Sequence, residues 1–569
     1  MVFSARFDDL SGAGRAWQFV DPLGEIVATR AEDVRGALDA VETASRAGRW
    51  LAGFVTYEAA AGLDPALRVH EGDDDLPLLW FGVFGDRRAV DTVAAPDSDP
   101  PGAWTMPDAE ASHAAAVALI HEQIAAGNTY QVNLGLHLHA SAGVDPARLY
   151  RQLCHAQRSA YGALLDTGEV TIASASPELF FSLEGSRLTT RPMKGTAPRG
   201  RWPSEDRRRR DELLASPKDR AENLMIVDLL RNDMGRVAEW GSVHVESLFD
   251  IERYETVWQL TSTISAHVRA GTSLTDVFAA LFPCGSVTGA PKVRTMEIIS
   301  ELEPSPRGVF CGAIGVVGPA RHARFAVGIR TATFVRGDAS YGVGSGITWA
   351  SRPADEFQEL RDKTQVLSAT RPDFALLETM RHEPGGGLHH GELHLGRMAE
   401  SAEHFGFTFD RERVALALKD ALAGITRASR VRLQLHRDGT PLVTLGELPP
   451  ADTSPVRLVV DPCPTDSRNV FVFHKTTNRR HLERRSEHAL LVNERGELTE
   501  SPIANVALHV DGRWWTPPIE SGCLPGIERQ QLIAEERLAE RILTVADARR
   551  ADELALISSL RGWRPATLS

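Results

Sequence analysis

Pro192-Met193-Lys194-Gly195-Thr196 sets a lysine at the centre of a glycine-turned loop, where a primary amine can serve as a nucleophile. A lone lysine is usually a solvated surface charge. This one has company. Ser174-Ala-Ser-Pro-Glu178-Leu-Phe-Phe181 lies upstream, and Lys218-Asp-Arg-Ala-Glu222-Asn, Gly285-Ser-Val-Thr-Gly-Ala-Pro-Lys292, Gly328-Ile-Arg330-Thr and Gly344-Ser-Gly346 follow.

Around these motifs, short apolar runs between turns predict strands at Trp50 to Tyr57 and Leu78 to Phe84. Asp91 to Asp108, rich in Pro, Asp and Ala, reads as a surface connection. A helical pattern from Ser112 to Ala126 stops at Gly127-Asn128, ahead of a strand from Gln131 to His139. The 170s to 190s read as a hairpin and Asp211 to Asp233 as one long helix. On that helix Glu222 and Asp233 are separated by about three turns of 3.6 residues, so both fall on nearly one face. Glu356, Glu359 and Lys363 make a second stripe at helical spacing, which taken alone reads as an exposed salt-bridged face. After Leu367 the texture changes. Residues 369–373 read as a linker, and Phe374 to Ser569 as a smaller unit of helices and strands.

At 569 residues the chain is long enough for two large units with separate cores. A net charge of -13 argues against a nucleic-acid surface, and the one dense basic run, Arg207 to Arg210, is flanked by Glu205-Asp206 and Asp211-Glu212. The five cysteines are widely spaced and include no CxxC pair, so neither a disulfide framework nor a zinc site is suggested. No apolar run reaches membrane-spanning length, and a cytoplasmic protein is expected.

The motifs of residues 1–368 resemble the chorismate-utilising enzymes, and Lys194 resembles the aminodeoxychorismate synthase branch. The resemblance implies a large α/β (α+β) sandwich of antiparallel sheets with flanking helices. It implies a magnesium ion held by Glu222 and Glu359, an oxygen donor set that suits a hard cation. It also implies a site for the substrate dianion at Arg330, Gly344-Ser345-Gly346, Thr288-Gly289 and Lys363, with Gly195 and Thr196 beside the lysine. The residues Thr288-Gly289-Ala290-Pro291 are expected to open a helix whose free N–H groups add to that anion site. Relatives that add water to chorismate have lysine where this chain has Gln131, and anthranilate synthases have alanine where it has Lys194. The implied chemistry is therefore amination at ring carbon four. Lys194 attacks carbon two while Glu178 protonates the departing hydroxyl, and ammonia then expels the lysine. No cysteine lies in the Gly-x-Cys-x-Gly turn of a glutaminase, so a separate glutaminase partner is implied. Two departures stand out: Gln259 where many relatives carry histidine, and Phe310 where anthranilate synthases carry tyrosine. The Leu-Leu-Glu-Ser segment that binds tryptophan in feedback-regulated relatives is missing, so insensitivity to tryptophan is expected.

Residues 374–569 resemble the class IV pyridoxal-phosphate enzymes, through Leu376-Leu-Glu378-Thr, His394-Leu-Gly-Arg397-Met, His474-Lys475-Thr-Thr-Asn478-Arg, Glu500-Ser-Pro-Ile-Ala-Asn505-Val and Gly522-Cys-Leu-Pro-Gly526-Ile527. The resemblance implies that Lys475 holds the cofactor covalently, that Glu500 pairs with its pyridine nitrogen, and that Arg397 with the Gly526-Ile527 backbone holds its phosphate. Glu528 stands where relatives offer a threonine, and a carboxylate beside a phosphate is unfavourable unless it points away. Relatives of this class pair as dimers. The combined expectation is a bifunctional enzyme taking chorismate to 4-aminobenzoate and pyruvate, for folate or for a specialised metabolite. Two alternatives stay open: a synthase with an inert carboxy-terminal scaffold or glutaminase-docking module, and a non-catalytic chorismate-sensing subunit.

Overall fold

The computed structural model describes residues 3–12, 14–94, 96, 102–107, 109–140, 143–368, 373–449 and 454–569. The expected linker at 369–373 lies outside them except for Asp373, as does part of the Asp91 to Asp108 connection. The fold is mixed α/β throughout. Chain contacts divide it into two units, one of Met1–Pro198 with Arg210–Arg371, the other of Arg199–Arg209 with Pro372–Ser569. The short Arg199–Arg209 segment was not legible as part of the second unit.

In the first unit, 17 strands among the described residues join in one continuous antiparallel network. Its logic is local at the hairpin of Leu179–Glu184 and Arg187–Arg191. Leu183 faces Leu188 and Glu184 faces Arg187, leaving Gly185-Ser186 as a two-residue turn with Gly185 at φ +62. Phe180 and Phe181 on the first of these strands pack with Phe278 and Phe325, with neighbouring ring centroids 5.0 to 5.3 Å apart, and all four are fully buried. That aromatic cluster anchors the strand that starts one residue after Glu178.

The helix expected from Asp211 to Asp233 is instead two helices, Pro203–Ala215 and Pro217–Gly235. Ser216-Pro217 divides them. Proline disfavours helical geometry in the residue before it, and Ser216 sits at ψ 114 with its hydroxyl capping the Asp219 N–H. The other elements fall close to their expected places, at Trp50–Val55, Leu79–Val90, Glu110–Ala125 and Gln131–Ala140.

The second unit contains an antiparallel four-stranded sheet led by Leu376–Glu383 and Ser429–Leu435, and a larger mixed sheet centred on Ala504–Val510 and Glu553–Ser558. Its Arg199–Arg209 segment is held by an Arg199–Asp206 pair at 2.5 Å and by Trp202 on Phe473, centroids 5.0 Å apart. His474 Nε2 lies 3.2 Å from the Arg201 carbonyl. Among the described residues no helix is long and apolar enough to cross a membrane.

Candidate active sites

Lys194 owes its direction to an interrupted ladder. The strand Met193–Pro198 pairs with Val257–His267 at Met193↔Thr261 and again at Thr196↔Gln259, with a register shift between. Gly195, at φ +95, takes up the irregularity, and a bulge of this kind re-aims a side chain. The loop is tied down from below: Asn223 Nδ2 donates to the Lys194 carbonyl at 3.1 Å, and the Ser262 hydroxyl donates to Asn223 Oδ1 at 2.6 Å. Gln259, in the place of the usual histidine, accepts a 2.8 Å hydrogen bond from the Thr196 hydroxyl.

The amine ends against Gly346. A methyl group built there would lie 2.4 Å from Lys194 Nζ and 2.7 Å from Gln131 Nε2, so glycine leaves the space these two groups share. Gly346 belongs to the strand Asp338–Ile347, in register with Gln131–Ala140 at Gly344↔Gly135, Ser345↔Leu134 and Gly346↔Asn133. Gln131 is fully buried, yet neither amide atom has a hydrogen-bond partner, and the Ser345 hydroxyl is likewise buried and unpartnered. Buried polar groups are usually hydrogen-bonded, so these atoms have capacity left for a further partner. Gly289 positions Gln131: at φ +151, any Cβ would strike the Gln131 carbonyl at 2.0 Å. The Thr288 hydroxyl is spent on the Cys284 and Gly285 carbonyls. The helix after it starts at Lys292, behind Pro291.

Glu178 is buried, and desolvation raises its carboxyl to about 7, only partly offset by the Ser286 hydroxyl, the Met193 N–H and the charge of Lys194. A group so placed holds a proton near neutrality. Burial also raises Glu222, against the pull of Lys194 and of Lys218 at 3.9 Å. Burial works the same way on Glu359 but loses to Lys363, 2.5 Å away, and to Lys194, so Glu359 stays below the ordinary carboxylate range. These two carboxylates come from separate helices and both lie within the field of Lys194 and Lys218, and their oxygens are of the donor type a divalent hard cation takes. Asp233 does not join them, being paired with Lys292 at 2.8 Å. Lys363 also donates to the Gly344 carbonyl at 2.7 Å, and Arg330, in the left-handed region at φ 52, donates to the Lys363 carbonyl. Lys363 thus stands next to the glycine strand, with Arg330 behind it.

In the second unit a cavity of about 330 Å³ is lined by Lys475, Glu500, Arg397, Asn505, Gly526 and Ile527, at the small end of the roughly 300–1,000 Å³ typical of ligand pockets. Burial, helped by the Arg397 charge, lowers the Lys475 ammonium to about 8. Burial raises Glu500 to about 8, resisted by the Leu524 N–H. Arg397 grips Glu378 through two hydrogen bonds of 2.8 and 2.7 Å and gives a third, 2.9 Å, to the Pro525 carbonyl. His394 completes the buried triad at 2.6 Å, and against the penalty of burial the Arg397 and His394 contacts hold Glu378 at about 2. Gly526 admits no side chain, because a Cβ would lie 1.9 Å from Asn505 Oδ1. A backbone cradle that only glycine permits, an amine tuned towards neutrality and a buried carboxyl fit a pyridoxal phosphate.

The profile of chorismate binding enzymes matches residues 6–369, and that of class IV amino-transferases matches 375–568. The chain belongs to the chorismate-binding enzyme family. Among similar proteins, aminodeoxychorismate synthase component 1 of Escherichia coli (strain K12) is 44% identical over 248 residues, 44% of this chain and 55% of that one. Anthranilate synthase component 1 1 of Haloarcula marismortui is 37% identical over 329 residues, 55% and 67% of the two chains. The chain spans between 37% and 55% of the length of the aminodeoxychorismate synthases of Streptomyces griseus and Klebsiella aerogenes. The crystal structure of anthranilate synthase component I from Streptococcus pneumoniae TIGR4 superposes with a TM-score of 0.56 at 25% identity, covering 62% of this chain and 92% of that one.

For this chorismate-binding enzyme, the sequence alone did not assign the supporting residues. Asn223, Ser286, Glu378, His394 and Asn505 each lie inside a motif singled out above, and Ser262 lies three residues after Gln259. The signal was their adjacency. What it could not show was the hydrogen bonding that gives each its task.

Proposed function

We propose that the chain converts chorismate to 4-aminobenzoate in two steps, with amination in the first unit and pyruvate elimination in the second. The observation that carries the reading is the convergence of the Lys194 amine and the Gln131 amide on Gly346, with Glu178 poised near neutrality beside them.

In the first step Lys194 Nζ bonds to ring carbon two, both ring double bonds shift, and the carbon-four hydroxyl leaves as water with the proton of Glu178. Ammonia then bonds to carbon four, both double bonds return, and Lys194 is released. Gln131 offers an amide but no base, which supports amination over hydration. Glu222 and Glu359 would hold a magnesium ion, which when bound neutralises a substrate carboxylate. Arg330 and Lys363 supply positive charge for the other. Ammonia comes from a separate glutaminase subunit, and free ammonium substitutes for it.

Pyridoxal phosphate, when bound in the second unit, supplies the electron sink for cleavage of the bond to the pyruvate group. Lys475 would move the proton at carbon four, Glu500 would pair with the pyridine nitrogen, and Arg397 with the Gly526-Ile527 backbone would hold the phosphate. The reading places the enzyme in the cytoplasm, as a supplier of a folate precursor, with two chains paired.

Intact-protein mass spectrometry tests the covalent step. With chorismate and magnesium but no ammonium, the chain should gain one substrate mass less water, and Lys194→Ala should not. An adduct that persists in Lys194→Ala would place the nucleophile elsewhere.

A further inference from the structure

His389, His390 and Glu528 stand outside the chemistry described above. Their ligand atoms, one per residue, all lie within 4.8 Å of one another. Glu528 Oε2 is 3.6 Å from His389 Nε2 and 3.7 Å from His390 Nε2. These separations are too long for hydrogen bonds, and that oxygen is buried with no hydrogen-bond partner of any kind. A buried carboxylate oxygen flanked by two nitrogens, and bonded to neither, is unfavourable unless something sits between them.

We infer that these three side chains bind a divalent transition-metal ion of the zinc class. Bonds of about 2.0–2.2 Å at a tetrahedral centre put neighbouring ligand atoms roughly 3.4 Å apart, so the two measured separations need to close by only a few tenths of an ångström. Two imidazoles and one carboxylate suit zinc, cobalt or nickel better than magnesium or calcium, which prefer oxygen throughout. The backbone helps. His390 occupies the left-handed region at φ 52 immediately ahead of the helix Gly391–Phe405, and the His389 N–H is fixed on the Arg381 carbonyl at 2.8 Å. The two rings are thereby held with centroids 3.9 Å apart, both with their Nε2 atoms towards Glu528. Glu528 lies in the first turn of the helix Ile527–Ala534, so the ion would clasp that helix to the His389-His390 turn. Three protein ligands leave a fourth position for water. The site stands whether or not the neighbouring cavity holds a cofactor.

The test uses the full chain, stripped with a chelator, in excess magnesium, titrated with Co²⁺ and with Zn²⁺. The wild type should take up one Co²⁺ with the visible absorption of a low-coordinate ion, and Zn²⁺ should displace it and raise the thermal midpoint. Glu528→Gln, which keeps the shape of the side chain, and His390→Ala should each weaken binding at least tenfold. Absence of stoichiometric Co²⁺ or Zn²⁺ on the wild type overturns the inference. So does binding that both substitutions leave unchanged.

Discussion

Lys194 Nζ and the α-carbon of Gly346 are so close that one added methyl group would stand 2.4 Å from the amine. The neighbour it would strike is the far end of a flexible side chain, so the protein can fold around an alanine there, but only with the amine displaced. Gly346→Ala is expected to lower ammonium-dependent amination at least tenfold while moving the thermal midpoint little. Steady-state kinetics beside a melting curve separate the two effects.

Glu178 sets a pH limit. Its carboxyl is raised to about 7 by burial, so the protonated form that can donate is present below that pH and lost above it. The amination rate should fall on an alkaline limb centred near 7. Glu178→Gln should be slow at every pH and lack that limb. A limb retained in the glutamine variant would assign the titration to another group.

Asn223 links the fold to the chemistry, accepting from Ser262 and donating to the Lys194 carbonyl. Removing it strands a buried hydroxyl and frees the loop. Asn223→Ala should cost about 1–3 kcal/mol of stability, read from denaturant unfolding, and should lower the amination rate more than substrate affinity.

In the second unit, Gly526→Ala would drive a methyl group into Asn505 Oδ1, 1.9 Å away. Cofactor absorbance should be lost or much weakened. Lys475→Ala should stop pyruvate release and leave amination intact, which a coupled pyruvate assay and product chromatography read independently.

Much of both sites was legible because their motifs are continuous. Lys194, Glu178, Gly346, Lys475 and Glu500 were singled out by the resemblance of those motifs to two families. The supports were not, because Asn223 reaches Ser262 only once a helix lies against a strand. The break at Ser216-Pro217 could have been read locally, since a serine before a proline signals a helix end and a new cap. The membership of Arg199–Arg209 in the second unit could not, because it depends on contacts such as Trp202 with Phe473, far apart in the chain. Glu528 is the instructive case. Its carboxylate, unfavourable beside a phosphate, faces two histidines instead.

The most direct measurement of the central claim is mass spectrometry of the products formed from chorismate, magnesium, ammonium and pyridoxal phosphate by the purified chain. The account predicts 4-aminobenzoate and pyruvate in equal amounts. Accumulation of 4-amino-4-deoxychorismate, or release of anthranilate, would contradict it.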